Sequence, residues 1–242
     1  MRRNVGVALV VAMVVLTAAN ASAQRLGEPQ EETYMRIPHH FTVFVGAGIG
    51  VPTQPGPFRS SWNTTFPVEA GIGYAVFGWM DINFVASYAS FSVNELEAKR
   101  EIGFVGVSEI TGGTIKTVRY MGSARFIAVP SHRFNPYTEV GVGYFSTTAT
   151  DLEISGREPN NPVEQAWTNT MDDVSGISVS IGVGGQYALN ERWSAFTEFA
   201  WAFNQNGGFA PSNLLLAEDA ERSTGDGSQN IAAIMVGLMI RL

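Results

Sequence analysis

Five charged side chains stand out because they recur where nearly every other residue is small or apolar. They are Glu69, Arg119, Arg125, Glu139 and Glu198. A carboxylate or guanidinium in a dry interior is costly unless it is paired, so such residues are expected to meet one another. If the chain folds back about residue 132, Arg125 lies opposite Glu139, and the two form an ion pair. A fold about residue 192 sets Gln186 opposite Glu198. Glu69 and Arg119 join across the same interior, nearer its other end. Two chemistries follow. The charges satisfy one another and plug an interior, or they gate a path for protons or ions.

Other candidates are thinner. His39 and His40 are adjacent, and adjacent residues of a strand point to opposite faces, so one metal site does not use both. Ser131 and His132 fall in a turn, where they form no Ser–His–acid arrangement with a neighbouring acid. Asp172, Asp173 and Asp226 lie in long connections and read as solvated acids. There is no cysteine, hence neither a disulfide framework nor a thiolate metal site. No GxxxxGK[ST] loop is present. The expectation is therefore no catalytic, metal or cofactor residue, and no enzyme.

The elements that carry these charges alternate with period two. In NPYTEVGVGYF (135–145), Val140, Val142 and Tyr144 share one face, while Glu139, Gly141, Gly143 and Phe145 share the other. Eight such segments are expected, at 40–51, 67–77, 80–93, 116–129, 136–150, 174–189, 193–204 and 229–241. They are longer than ordinary strands and near the length that crosses a bilayer at a tilt. Their connections alternate in length. Short ones are expected at 78–79, 130–135 and 190–192, and long ones at 52–66, 94–115, 151–173 and 205–228. A short helix is expected within the last, at 211–222.

One face gathers Val43, Val45, Ile49, Ile72, Phe84, Tyr120, Val140, Ile181, Val236 and Leu238, and no charge is expected on it within the strands. The other gathers Gly46, Gly48, Gly71, Gly73, Gly141, Gly143, Gly182, Gly184 and Gly237, with a few charges. As a water-facing surface the second would be short of charge and weakened by glycine. As the inside of a narrow barrel it leaves room for a few large polar groups. The apolar face then meets lipid. Trp79, Trp193, Tyr137 and Tyr187 lie near the short turns, where an interfacial aromatic girdle belongs. The fold class expected is all-β: an eight-stranded antiparallel up-and-down transmembrane β-barrel.

Composition agrees. The chain has 242 residues, 45% hydrophobic and only 15% charged, with a net charge of −7. Only Lys99 and Lys116 are lysines, and nothing resembles a basic stripe, so no nucleic-acid partner is expected. Arg2 and Arg3, an apolar run over 5–16 and the A-x-A site Ala21-Ser22-Ala23 read as a signal peptide over 1–23. Residues 24–38 read as a flexible leader, and 39–242 as the barrel.

The stretches PYTEVGVGYF (136–145) and GVGGQYALNERWSAFTEFAW (182–201) resemble the small outer-membrane β-barrel proteins of the OmpA and OmpX type. The resemblance spans 38–242. It implies Sec-type export to the cell outer membrane of a Gram-negative type of cell. It also implies contact with outer-membrane lipids and the barrel assembly machinery, and extracellular loop partners. The family often ends in an aromatic residue, whereas this chain ends in Leu242. Some eight-stranded outer-membrane barrels modify lipid A with a wall-borne His and Ser, which this pattern does not supply. Two roles remain open. One is a non-enzymatic structural or interaction barrel with a side-chain-filled lumen and long extracellular loops. The alternative is a small channel or transport barrel for small solutes or apolar molecules.

Overall fold

The computed structural model describes residues 38–54, 62–96, 109–128, 133–156, 165–169, 173–205 and 229–242. The expected signal peptide, nearly all of the leader, Ser131, His132, Asp172, Asp226 and the expected helix at 211–222 lie outside them.

The described residues form eleven strands: β1 (Phe41–Gln54), β2 (Val68–Phe77), β3 (Met80–Phe91), β4 (Glu109–Gly112), β5 (Ile115–Ile127), β6 (Phe134–Ala149), β7 (Leu152–Gly156), β8 (Gln165–Asn169), β9 (Val174–Ala188), β10 (Trp193–Gln205) and β11 (Gln229–Arg241). Eight of them close into one barrel, in the order β1-β11-β10-β9-β6-β5-β3-β2. Every neighbouring pair is antiparallel, and the wall is sealed where β1 meets β11 from Thr42↔Arg241 to Gln54↔Asn230. Closure leaves the wall no free edge and gives its strands hydrogen-bond partners on both sides, the condition for a sheet to cross hydrocarbon.

The period-two pattern decides which side chains face out. Val140, Ile181 and Leu238 are 47%, 52% and 46% exposed on the outer wall. Val45, Ile49, Ile72, Phe84, Tyr120, Val142 and Val236 join them. A water-soluble surface does not carry a continuous apolar belt of this extent. On β5 the belt runs from Val118 to Phe126, which a tilted strand turns into a height of about 20 Å, close to that of a bilayer-crossing barrel. At the short-turn edge, Trp79 stacks between Phe77 (5.4 Å) and Phe126 (6.2 Å), with Tyr187 and Trp193 exposed nearby.

The outer wall does carry one charge, contrary to expectation. Lys116 is exposed, and it alternates with the lumen-facing Ile115 and Thr117. It pairs in register with Ser90 and Thr148, above the last apolar rung of Tyr88 and Val118. It marks the polar rim at the long-loop end.

A second difference lies in the connections expected at 94–115 and 151–173. They hold β4, β7 and β8, a three-stranded sheet in the order β4-β7-β8. Its strands are short and their alternation is brief, which left them without a sequence signal.

Candidate functional site

The largest fully buried side chain among the described residues is Arg125, which is 1% exposed and points into the barrel. β5 and β6 fold together so that Arg125 is directly across from Glu139. Arg125 Nε donates to Glu139 Oε2 at 2.6 Å, and Ser123 Oγ donates to Glu139 Oε1, also at 2.6 Å. Arg125 Nη2 lies 3.6 Å from Glu198 Oε2. The same Glu198 oxygen accepts a hydrogen bond from the Tyr137 hydroxyl at 2.9 Å. The guanidinium carbon rests 4.2 Å from the centroid of the Tyr137 ring, and 5.7 Å and 5.9 Å from those of Phe44 and Phe196. One cation is thus held by two carboxylates and faced by aromatic rings, which offsets part of the water it has lost, while its Nη1 is buried without a hydrogen-bond partner.

Tyr137 belongs to this cluster and not to the girdle. It shares strand parity with Glu139, so it points inward and is buried. Proximity to a short turn in sequence is weaker information than parity.

The partner of Glu198 also differs from expectation. β9 and β10 fold about Glu191, which sets Gln186 opposite Phe196 and Glu198 opposite Gly184. The closing contact is Leu189 N–H to the Trp193 carbonyl, and the Asn190 side-chain oxygen accepts from the N–H groups of Arg192 and Trp193. A shift of two residues keeps Glu198 facing inward but exchanges Gln186 for a glycine. The glycine is what the cluster requires. A Cβ at position 184 would stand 2.6 Å from Tyr137 Cζ, and one at 182 would stand 2.6 Å from Glu198 Oε1. Both groups occupy space that glycine leaves.

Glu69 and Arg119 attract one another electrostatically, but among the described residues no direct ion-pair contact joins them. Arg119 Nε donates to Ser87 Oγ at 3.0 Å. Glu69 pairs in register with Gly46 on one side and Ser87 on the other. Ser87 therefore stands between them.

Apolar residues on the inner face were missed in the sequence. Phe44, Val85, Met121, Phe196 and Met239 form a buried cluster beside Arg125. Their strand parity does point inward, but a face rich in glycine and serine conceals the few large residues that fill it. Toward the long loops comes a layer of hydroxyls and amides. Thr117 and Thr147 meet at 2.9 Å, and Ser178 Oγ donates to Asn204 Oδ1 at 2.7 Å. Above it Trp62, Phe91, Ile110, Ile115, Leu152, Ile154 and Ile231 form a second buried apolar cluster across the mouth.

The solved structures that this fold is similar to are small barrels. Neisserial surface protein A matches with a TM-score of 0.49 and 9% identity, over 84% of this chain and 97% of that one. Ail, the attachment invasion locus protein of Yersinia pestis, matches with a TM-score of 0.44 and 11% identity, over 85% and 100%. The outer membrane protein OprG from Pseudomonas aeruginosa matches with a TM-score of 0.45 and 12% identity, over 89% and 99%. No protein-family profile and no curated protein matches the sequence.

The remaining candidates sit apart from this cluster. His39 Nδ1 is 3.3 Å from the Tyr74 hydroxyl oxygen, outside the lumen. Asp173 Oδ1 accepts a long hydrogen bond, 3.4 Å, from Ala149 N–H. Among the described residues no three His, Cys, Asp or Glu side chains converge as a metal site. Strands that are not neighbours in the wall are tied across the lumen by Arg125–Glu198, Tyr137–Glu198 and the contacts of Arg125 with Phe44 and Phe196.

Proposed function

We propose that this chain is a non-enzymatic barrel of the outer membrane, whose role is structural or interactive. Its lumen is braced and closed by side chains, and its long connections are displayed beyond the membrane. The observation that carries this reading is Arg125, sealed between Glu139, Glu198, Tyr137, Phe44 and Phe196 with 1% of its surface exposed. A permanently open path would need water at that level. The apolar belt supports a membrane location, and the short-turn aromatic girdle supports one interface. Lipids of that membrane and the barrel assembly machinery are the partners this reading requires. The acidic residues Glu109, Asp151, Glu153 and Asp173 near the long connections favour loop partners that are neutral or basic.

The purified, refolded chain in planar lipid bilayers tests the reading. Closed traces with no steady conductance are expected. A stable conductance step from the unmodified protein would replace it with the second reading, a small transport barrel. That reading is favoured by one feature: Arg125 has two carboxylates within reach, at 2.6 Å and 3.6 Å, between which it could exchange.

A further inference from the structure

The β5–β6 hairpin does not stop at the barrel rim. Its ladder runs on without a change of register, from Ile115↔Ala149 in the wall to Gly112↔Leu152 and Glu109↔Ser155 in β4 and β7. Thr150 N–H donates to the Thr114 carbonyl, and Gly113 N–H to the Asp151 carbonyl, each at 3.0 Å, so the ribbon stays hydrogen-bonded through the junction.

What changes at the junction is the face. On β5 and β6 the odd-numbered residues point into the lumen, Ile115 and Thr147 among them. On β4 and β7 the buried residues are the even-numbered Ile110, Leu152 and Ile154. Gly112 and Gly113, at φ of 80° and 64°, make this reversal. The ribbon turns over on these two glycines and lays its even face across the mouth. Ile110, Leu152 and Ile154 pack there with Trp62, Phe91, Ile115 and Ile231, while Glu109, Thr111 and Glu153 face away and stay exposed.

We propose that the β4-β7-β8 sheet is a hinged lid, pivoting at Gly112–Gly113 and latched over the long-loop mouth by Ile110, Leu152 and Ile154. The lid covers the hydroxyl and amide layer of Thr117, Thr147, Ser178 and Asn204, in which Asn204 Nδ2 is buried without a hydrogen-bond partner. The latch is apolar, and the junction is Gly112–Gly113 on one strand and Thr150–Asp151 on the other, so opening bends both strands above the wall and separates side chains without breaking it. The lid stands whether or not the barrel conducts.

The chain has no cysteine, so a single introduced thiol reports access. Thr147→Cys places it beneath the lid at a site with 0% exposure. Its rate of labelling by a charged, water-soluble maleimide is measured in refolded protein, with Thr148→Cys on the outer rim as the freely accessible reference. The parent reporter is expected to label at least tenfold more slowly than the reference. Leu152→Asp should raise the reporter rate at least tenfold. Ile154→Ser is the milder latch variant and decides the matter if Leu152→Asp does not refold. Heat-modifiable migration on gels certifies the barrel in each case. A reporter that labels as fast as the reference, or a latch variant that refolds and leaves the rate unchanged, overturns the lid.

Discussion

The guanidinium of Arg125 lies over the ring of Tyr137, and the hydroxyl of that ring donates to Glu198, which also faces Arg125. Three strands, β5, β6 and β10, are locked through the axis by this triangle. Its loss is expected to be felt by the whole barrel and not by one hairpin.

Removing Arg125 alone should be expensive. Arg125→Met leaves Glu139 and Glu198 facing each other without their cation, and breaking a buried pair this way costs about 3–5 kcal/mol. Glu139→Leu added to it should restore part of that loss. Equilibrium unfolding in urea from lipid vesicles gives the double-mutant cycle. A coupling below about 0.5 kcal/mol, the usual scatter of independent sites, would deny the pair.

Two glycines one wall apart should respond oppositely to the same change. Gly184→Val drives a side chain into the Tyr137 ring, and the refolded yield should collapse. Gly122→Val points outward, where the nearest atom to a Cβ is the Val142 carbonyl oxygen at 3.8 Å. That variant should fold as well as the parent and gain strand propensity. Gel migration with and without heating reads both, and equal yields would contradict the assigned faces.

A charge at mid-wall should cost far more than one at the rim. Val142→Arg is expected to lower folding stability by about 2–4 kcal/mol. Lys116 already carries a charge at the polar rim, and Lys116→Leu should change stability by less than about 1 kcal/mol. Vesicle-based unfolding measures the difference. Similar effects at the two sites would mean that the belt is not a hydrocarbon boundary.

The wall was legible in the sequence because alternation is a local signal that every long strand repeats. The eight barrel strands fall within a few residues of their expected ends, and Arg125 opposite Glu139 followed from the centre of one turn. The same arithmetic failed for β9 and β10, because it placed the centre one residue late, on Arg192 rather than Glu191. A one-residue error in the centre moves the partner by two, which preserves the face and changes the contact. Tyr137, Phe44 and Phe196 were harder still. Their inward direction is written in parity, but their convergence on one guanidinium depends on barrel stagger, which no single strand records. The lid was invisible for a different reason: at Gly112–Gly113 the alternation reverses while the ladder continues.

Orientation is the claim on which the rest depends, and lipid-borne quenching tests it most directly. Single cysteines at 140, 181, 238 and, at the polar rim, 148 are labelled with a small environment-sensitive fluorophore and the protein is refolded into vesicles of phospholipid brominated along the acyl chain. Strong quenching at 140, 181 and 238, with little at 148, is the result predicted. Absence of quenching at 140, 181 and 238 in refolded protein would contradict it.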